Sequence, residues 1–147
     1  MFKRILFVCV GNICRSPTAE YLLRHRLAQS DFEVGSAGLS AVVGAPMDPM
    51  ALELLRKHGI EGSEHRGRQL TADMLRQSDL ILAMEKSHAA SIIRGNPEVS
   101  GKVFLLGKWQ STTDIPDPFR QPRSAFVHAY RLIDKGVSDW LPHLNKQ

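Results

Sequence analysis

Four short apolar runs recur along the chain, and each is long enough for one strand of a sheet. Residues 3–9 (KRILFVC) and 79–84 (DLILAM) are continuous runs, a pattern typical of strands buried on both faces. Residues 32–36 and 103–106 repeat the pattern in shorter form. The sequence therefore predicts four buried strands.

Apolar residues at helical spacing fill the segments between these runs. A first helix is predicted over residues 20–27, with Ser16 as its cap residue and Pro17 at its first helical position. A second helix begins after Asp48 and stops at Gly59. Each helix therefore follows one of the first two strands.

The second half of the chain continues the alternation. Helices are predicted over residues 71–77, 87–94 and 124–144, and a polar loop with three prolines over residues 110–123. The long closing helix carries its apolar face on Phe126, Tyr130, Ile133, Val137 and Trp140.

Strands that alternate with helices predict an α/β fold with a four-stranded parallel sheet and helices on both faces. A length of 147 residues, with no internal repeat or linker, suits one domain over residues 1–147. In such sheets ligands bind at the carboxyl ends of the strands, where loops lead into helices. The loop between the first strand and the first helix occupies that position.

Composition excludes several classes of protein. No apolar stretch has the length of a membrane span or the form of a secretory signal, so we expect a cytoplasmic protein without membrane insertion. The net charge is +4, but the basic residues are scattered and aromatic residues are few, which argues against nucleic-acid binding. The six histidines show no metal-ligand spacing, so neither a metal nor an organic cofactor is expected.

The first loop carries the candidate chemistry, because it reads CVGNICRSP and places Arg15 six positions after Cys9. Amides of a loop that enters a helix can converge on one anion, and the helix dipole adds positive potential. The same field stabilises a thiolate, so Cys9 is the candidate nucleophile. Arg15 can bind two oxygens of a phosphate group in a bidentate manner.

The other loop residues are expected to surround that anion. Gly11 is expected to permit a backbone geometry that a side chain would block, Ser16 to donate its hydroxyl to the thiolate, and Asn12 to brace the loop from inside. The predicted substrate-binding residues of this loop are Val10, Gly11, Asn12, Ile13, Cys14 and Ser16.

A phosphate ester of a poor leaving group needs a general acid, and the proline-rich loop offers Asp114 and Asp117. We choose Asp117, because prolines flank it on both sides and Phe119 beside it can form an aromatic wall. Asp-Pro also initiates turns, and without the Cys9 loop that would be the simpler interpretation.

With these motifs together, the sequence resembles the low molecular weight protein tyrosine phosphatases, from Arg4 to the final helix. The likeness rests on VCVGNICRSPTAE, SAG at residues 36–38, residues 65–69, DLILAM and DPF at residues 117–119. The resemblance implies hydrolysis of phosphotyrosine through a cysteinyl phosphate on Cys9. It further implies phosphate binding by Arg15 and proton transfer by Asp117, without cofactor.

The resemblance also assigns supporting residues. Ser36 and His65 match positions that brace the family's loop asparagine, here Asn12, and Leu39 lies in a segment that lines the pocket. Eukaryotic members of the family often carry an aromatic residue in this region. With Leu39 there, the sequence is more similar to the bacterial branch, which is associated with tyrosine kinases of exopolysaccharide production. The implied partners are therefore a phosphotyrosine protein such as a bacterial tyrosine kinase, and phosphate or inhibitory oxyanions in the loop. Phe119 departs from the family's usual tyrosine.

Two other functions fit the same loop. An arsenate reductase of this fold relays electrons through further cysteines, and this chain has only Cys9 and Cys14. A phosphate- or phosphotyrosine-binding module without turnover would need neither Cys9 nor Asp117. Cys14 itself has two interpretations, as a packing residue beneath the loop or as a partner of Cys9 in a reversible, redox-sensitive disulfide.

Overall fold

In the computed structural model, which describes residues 2–28 and 31–144, the four apolar runs form the strands of one parallel sheet. The strand order is β2-β1-β3-β4, with β1 paired on both sides. The strands are β1 (Arg4–Cys9), β2 (Glu33–Gly38), β3 (Leu80–Ala83) and β4 (Val103–Leu105). The predicted fold class is confirmed.

The five predicted helices are also present, with small changes at their ends. They are α1 (Arg15–Arg26), α2 (Pro49–Lys57), α3 (Ala72–Gln77), α4 (Lys86–Gly95) and α5 (Arg123–Leu144). A 3-10 helix at Pro97–Lys102 was not predicted, because six residues are too few to show a helical period. No helix within the described residues is long and apolar enough to cross a bilayer.

Side chains alternate between two apolar layers, one on each face of the sheet. Ile5 and Phe7 of β1 belong to the layer covered by α1, α2 and α5. Leu6 and Val8 point the opposite way, toward the layer that includes Leu75 of α3 and residues of α4. Burial on both faces explains why the strand reads as a continuous apolar run.

The start of α1 differs from the prediction, because Cys14 and not Ser16 is the N-cap residue. Ser16 lies inside the first turn, where Pro17 is tolerated because its missing N–H would have no helical acceptor. The Ser16 hydroxyl is therefore available for contacts beyond the helix. At α2 the predicted cap is confirmed, since Asp48 accepts a hydrogen bond from the Met50 amide at 2.9 Å.

Candidate active site

The segment between β1 and α1 forms a tight loop closed around Asn12. Asn12 is fully buried and has a φ of 59°, in the left-handed region that side chains rarely adopt. The expectation for Gly11 is wrong in this respect, because a Cβ there would meet only ordinary contacts and its φ is not left-handed. The strained backbone of the loop lies one residue later than the sequence suggested.

The Cys9 sulfur lies at the end of β1, 2.8 Å from the hydroxyl oxygen of Ser16. That oxygen accepts a hydrogen bond from Nδ2 of Asn12 at 2.8 Å. Because Asn12 supplies the hydrogen for this bond, the Ser16 hydroxyl keeps its own hydrogen for the sulfur. The Ser16 hydroxyl is therefore placed to donate its hydrogen to the Cys9 sulfur.

Asn12 is held from behind by buried polar groups. Its Nδ2 also donates to the Ser36 hydroxyl at 2.9 Å, and Nε2 of His65 donates to its carbonyl oxygen at 2.7 Å. Its Oδ1 accepts from the Arg68 amide at 2.8 Å. Ser36 in turn donates to the buried carboxylate of Glu20 at 2.6 Å. The structure thus brings Ser36 and His65 against Asn12, and adds Glu20 and Arg68.

Arg15 is buried within the first turn of α1, with its side chain 3% exposed. Its Nη1 donates to Oε2 of Glu85 at 2.5 Å and to the Ile115 carbonyl at 2.8 Å. Its Nη2 lies 3.8 Å from Oδ2 of Asp117. A guanidinium held on one side by fixed acceptors presents its remaining N–H groups in a defined direction.

Glu85 was missed by sequence reasoning. The available signal is its position, since it lies just beyond β3 and at the same sheet edge as Cys9. Its Oε2 is 3.6 Å from Nε2 of His88, a buried histidine whose Nδ1 has no partner within the described residues. Burial, and then Arg15, lowers the pKa of His88, so this ring is neutral at pH 7.

The two aspartates of the proline-rich loop occupy different surroundings. Asp117 is half-exposed and lines the pocket of Cys9, and its Oδ1 accepts from the Phe119 amide at 3.1 Å. Asp114 instead accepts from the Lys86 amide at 2.9 Å, at the start of α4. Only Asp117 of these two lines the cavity with the sulfur.

The cavity above Cys9 has a volume of about 190 Å³. Val42 forms part of its wall, whereas Leu39 packs against the second core layer and does not line the pocket. The Val42 amide donates to the Gly11 carbonyl at 3.0 Å, which ties this wall to the loop. The remaining lining residues are Cys9, Val10, Gly11, Asn12, Ile13, Cys14, Arg15, Asp117 and Phe119.

Cys14 is a buried free thiol on the same loop. Burial raises its pKa strongly, and the charges of Asp48 and Cys9 raise it further, so it stays protonated at neutral pH. Within the described part of the chain, no cluster of three or more histidine, cysteine or acidic residues is placed to hold a metal ion.

The geometry can carry out nucleophilic substitution at a tetrahedral anion. It combines a sulfur nucleophile, loop amides, a buried arginine and a half-exposed carboxyl group in one small cavity. The bound oxyanion would meet both the loop backbone and the free face of Arg15.

Comparison with known proteins agrees with this chemistry. A family model described as low molecular weight phosphotyrosine protein phosphatase matches residues 4–147. The chain is 45% identical over 147 residues to low molecular weight protein-tyrosine-phosphatase Wzb of Salmonella typhimurium, covering 100% of this chain and 97% of that protein.

Solved structures give the same result. Vibrio vulnificus Wzb in complex with benzylphosphonate has a TM-score of 0.92 and 44% identity, covering 98% of this chain and 100% of that one. Wzb of Escherichia coli K30 in complex with sulphate has a TM-score of 0.93 and 42% identity, covering 99% of this chain and 100% of that one.

Proposed function

The chain belongs to the low molecular weight phosphotyrosine protein phosphatases, and we propose how its own residues divide the reaction. It is a protein tyrosine phosphatase that acts through a cysteinyl-phosphate intermediate. The proposal rests on one observation, the Cys9 sulfur 2.8 Å from the Ser16 hydroxyl in a cavity shared with Arg15 and Asp117. We infer that residues 1–147 form one phosphatase domain.

In the first step, the Cys9 thiolate attacks phosphorus and forms a sulfur–phosphorus bond. The bond from phosphorus to the tyrosyl oxygen breaks, and protonated Asp117 gives its proton to that oxygen, which releases neutral tyrosine. The loop amides and Arg15 hold the remaining phosphoryl oxygens as charge redistributes in the transition state.

In the second step, the Asp117 carboxylate accepts a proton from water while the water oxygen attacks phosphorus. The sulfur–phosphorus bond breaks, and its electron pair returns to Cys9 as the thiolate. Ser16 stabilises that leaving thiolate by donating its hydroxyl. The products are inorganic phosphate and an enzyme ready for another cycle.

The substrate is held by the loop and by apolar walls. Val10, Val42 and Phe119 surround the cavity, and each is partly exposed to solvent. Phe119 can contact a phenyl ring but offers no hydroxyl. Two related structures support the proposed ligands, since Vibrio vulnificus Wzb holds benzylphosphonate and Escherichia coli K30 Wzb holds sulphate.

The central test compares wild type with Cys9→Ser on an aryl phosphate, with a chelator present and no added metal. We expect turnover in wild type and none above background in the variant, and stoichiometric phosphorylation of wild type trapped by rapid acid quench. Equal turnover in both proteins would exclude Cys9 as nucleophile.

Arsenate reduction with a thiol reductant, measured in parallel, tests the alternative reaction, for which only Cys14 could serve as a relay partner.

We place the enzyme in the cytoplasm, acting on a bacterial tyrosine kinase or another protein of exopolysaccharide production. The similarity to bacterial Wzb proteins supports this placement. The test offers wild type and Cys9→Ser an autophosphorylated tyrosine kinase from the same genome. We expect release of phosphate by wild type and retention of the phosphokinase by the variant.

We also propose that oxidation of Cys9 is reversible through Cys14. Peroxide oxidises the Cys9 thiolate to a sulfenic acid, the Cys14 thiol then attacks that sulfur, and water leaves as the disulfide forms. Both thiols line the same cavity, and the raised pKa of Cys14 keeps it as the protonated thiol, which peroxide oxidises less readily than a thiolate. A dithiol such as dithiothreitol restores both thiols.

The redox proposal is tested by treating wild type and Cys14→Ser with peroxide and then dithiothreitol. Wild type should regain most of its activity and the variant much less, and phosphate present during oxidation should protect both. Indistinguishable recovery would leave Cys14 as a packing residue.

A further inference from the structure

A second cavity lies behind the phosphate loop, away from the Cys9 pocket. Its volume is about 500 Å³, within the usual range of small-molecule sites. The outer edge of β2 forms one of its walls, and Ser36 and His65, which hold Asn12, are also in contact with it. The reaction described above uses no group from the cavity's outer part.

The β2 edge offers hydrogen-bond donors to this cavity. The Glu33 amide donates to β1, so in this parallel register the N–H and C=O groups of Val34 and Ser36 point outward. Their carbonyls already accept from guanidinium groups, Val34 from Arg24 at 2.9 Å and Ser36 from Arg68 at 3.2 Å. Neither outward N–H has an acceptor within residues 2–28 and 31–144.

Charge in the cavity is also incompletely compensated. Glu33 pairs with Arg4, and Glu20 pairs with Arg24 at 2.5 Å. The guanidinium groups of Arg66 and Arg68 donate only to backbone carbonyls among the described residues, although each has five N–H donors. Glu64 is the remaining acidic lining residue, and it is exposed at the mouth.

Tyr21 adds a further donor to the same wall. Its ring lies 5.2 Å below the Arg24 guanidinium, and burial followed by Glu20 raises the pKa of its hydroxyl. The hydroxyl therefore stays protonated at neutral pH. An added peptide strand would find the carbonyls of Val34 and Ser36 already occupied, whereas a small acceptor-rich anion could accept from the outward N–H groups and from the guanidinium groups of Arg66 and Arg68.

We propose that this cavity is a second site, which binds a small phosphate-bearing anion through Arg66, Arg68 and the N–H groups of Val34 and Ser36. Phosphate oxygens accept from backbone amides and arginine forks together, as the site requires. The site is separate from the Cys9 pocket, with which it shares no charged lining residue.

Occupancy of this site would reach Cys9 through a continuous set of hydrogen bonds. Arg24 contacts Glu20, Glu20 accepts from Ser36, and Ser36 accepts from Asn12. Asn12 donates to Ser16, whose hydroxyl lies against the Cys9 sulfur. An anion that attracts Arg24 or contacts Ser36 changes the support of the phosphate loop.

The binding test uses inorganic triphosphate as the probe and amide nuclear magnetic resonance as the readout. Tungstate first fills the phosphate loop, which the amides of Gly11 and Cys14 report. Triphosphate is then added, and we expect saturable shifts of the Val34 and Ser36 amides with one-to-one stoichiometry. Shifts confined to the phosphate loop, or no saturable binding after tungstate, would overturn the proposal.

Matched variants distinguish binding of triphosphate at this site from non-specific attraction to the protein's positive charge. Arg66→Gln with Arg68→Gln keeps the Arg68 backbone bond to Asn12 and should weaken triphosphate binding about tenfold or more. The control is Arg94→Gln with Arg131→Gln, two exposed arginines on α4 and α5, and its affinity should stay within about twofold of wild type. Equal weakening in both pairs would show that only net charge matters. Citrate, an anion that carries carboxylates and no phosphate, tests whether the site prefers phosphate. Tighter binding of citrate than of triphosphate would overturn the assignment to a phosphate-bearing anion.

Coupling to catalysis is measured at saturating aryl phosphate, where competition in the Cys9 pocket is suppressed. Triphosphate should change kcat of wild type but not kcat of the Arg66→Gln, Arg68→Gln protein. Binding without a change in kcat would overturn the coupling to Cys9.

Discussion

The two sides of the Cys9 pocket are built differently. Behind the sulfur, Asn12 is fully buried and its polar atoms make four hydrogen bonds, to Ser16, Ser36, His65 and Arg68. In front, Asp117 is half-exposed, and among the described residues its carboxylate accepts one hydrogen bond, from the Phe119 amide, and lies 3.8 Å from Nη2 of Arg15.

The difference corresponds to what each side must do. Loop amides and Arg15 stabilise charge best when they are already oriented before the reaction, and buried hydrogen bonds provide that orientation. Asp117 must release a proton in one step and accept one in the next, which requires access to water. The site therefore combines a fixed binding surface with an accessible proton carrier.

The largest effect should come from Arg15→Lys, which preserves charge but removes the planar fork. We expect kcat to fall on the order of 10³-fold, comparable to the loss of an oxyanion-binding donor. Arg131→Lys, on the exposed surface of α5, is the matched control and should match wild type. The measurement is kcat from steady-state kinetics on an aryl phosphate. Near-normal turnover of Arg15→Lys would show that transition-state stabilisation does not require the planar guanidinium of Arg15.

Asp117→Asn should have the next largest effect, and one that depends on the leaving group. For a phenol as basic as tyrosine we expect a loss of about 10²-fold in kcat, and a much smaller loss for an acidic phenol that needs no proton. Asp114→Asn is the control, because Asp114 contacts the Lys86 amide instead of the cavity. An equal loss of kcat for every aryl phosphate in such a series would show that Asp117 is not the general acid.

Ser36→Ala tests the support behind the loop and should have the smallest effect on rate. Removing this hydroxyl leaves one N–H of Asn12 and one oxygen of Glu20 without a partner, which costs about 1–3 kcal/mol in the free energy of unfolding. Activity should fall only a few-fold, since Asn12 keeps its other bonds. Ser40→Ala, at an exposed position, is the control, and urea denaturation of both variants gives the comparison. An undiminished free energy of unfolding in Ser36→Ala would contradict this account of the support.

The fold was predictable because its signals are local. The continuous apolar runs became strands, and Asp48 became the cap of α2 as predicted. Boundaries moved where tertiary contacts dominate, so α1 begins at Arg15 because the Ser16 hydroxyl faces the Cys9 sulfur and does not cap the helix.

The site was predictable only where a motif carries it. Cys9, Arg15 and Asp117 stand in short motifs, and the structure places them around one cavity. Glu85 and Val42 come from distant segments with no motif of their own, and only the folded chain shows that they adjoin Arg15 and the pocket. Leu39 was predicted to line the pocket and does not. Its amide donates to the Cys9 carbonyl, but its side chain packs against the second core layer.

The contacts of the phosphate loop have a consequence for how the enzyme is made. Asn12 is bonded to residues 24, 53 and 56 positions away, and Arg15 to residues 70 and 100 positions away. Contacts of such long range form late in folding, because the intervening chain must first be ordered. On the ribosome, the Cys9 thiol emerges about 100 residues before Ile115 can accept its bond from Arg15. The nascent chain therefore cannot attack phosphotyrosine in this way before Ile115 has been synthesised, and catalytic activity reports the folding of segments about 100 residues apart.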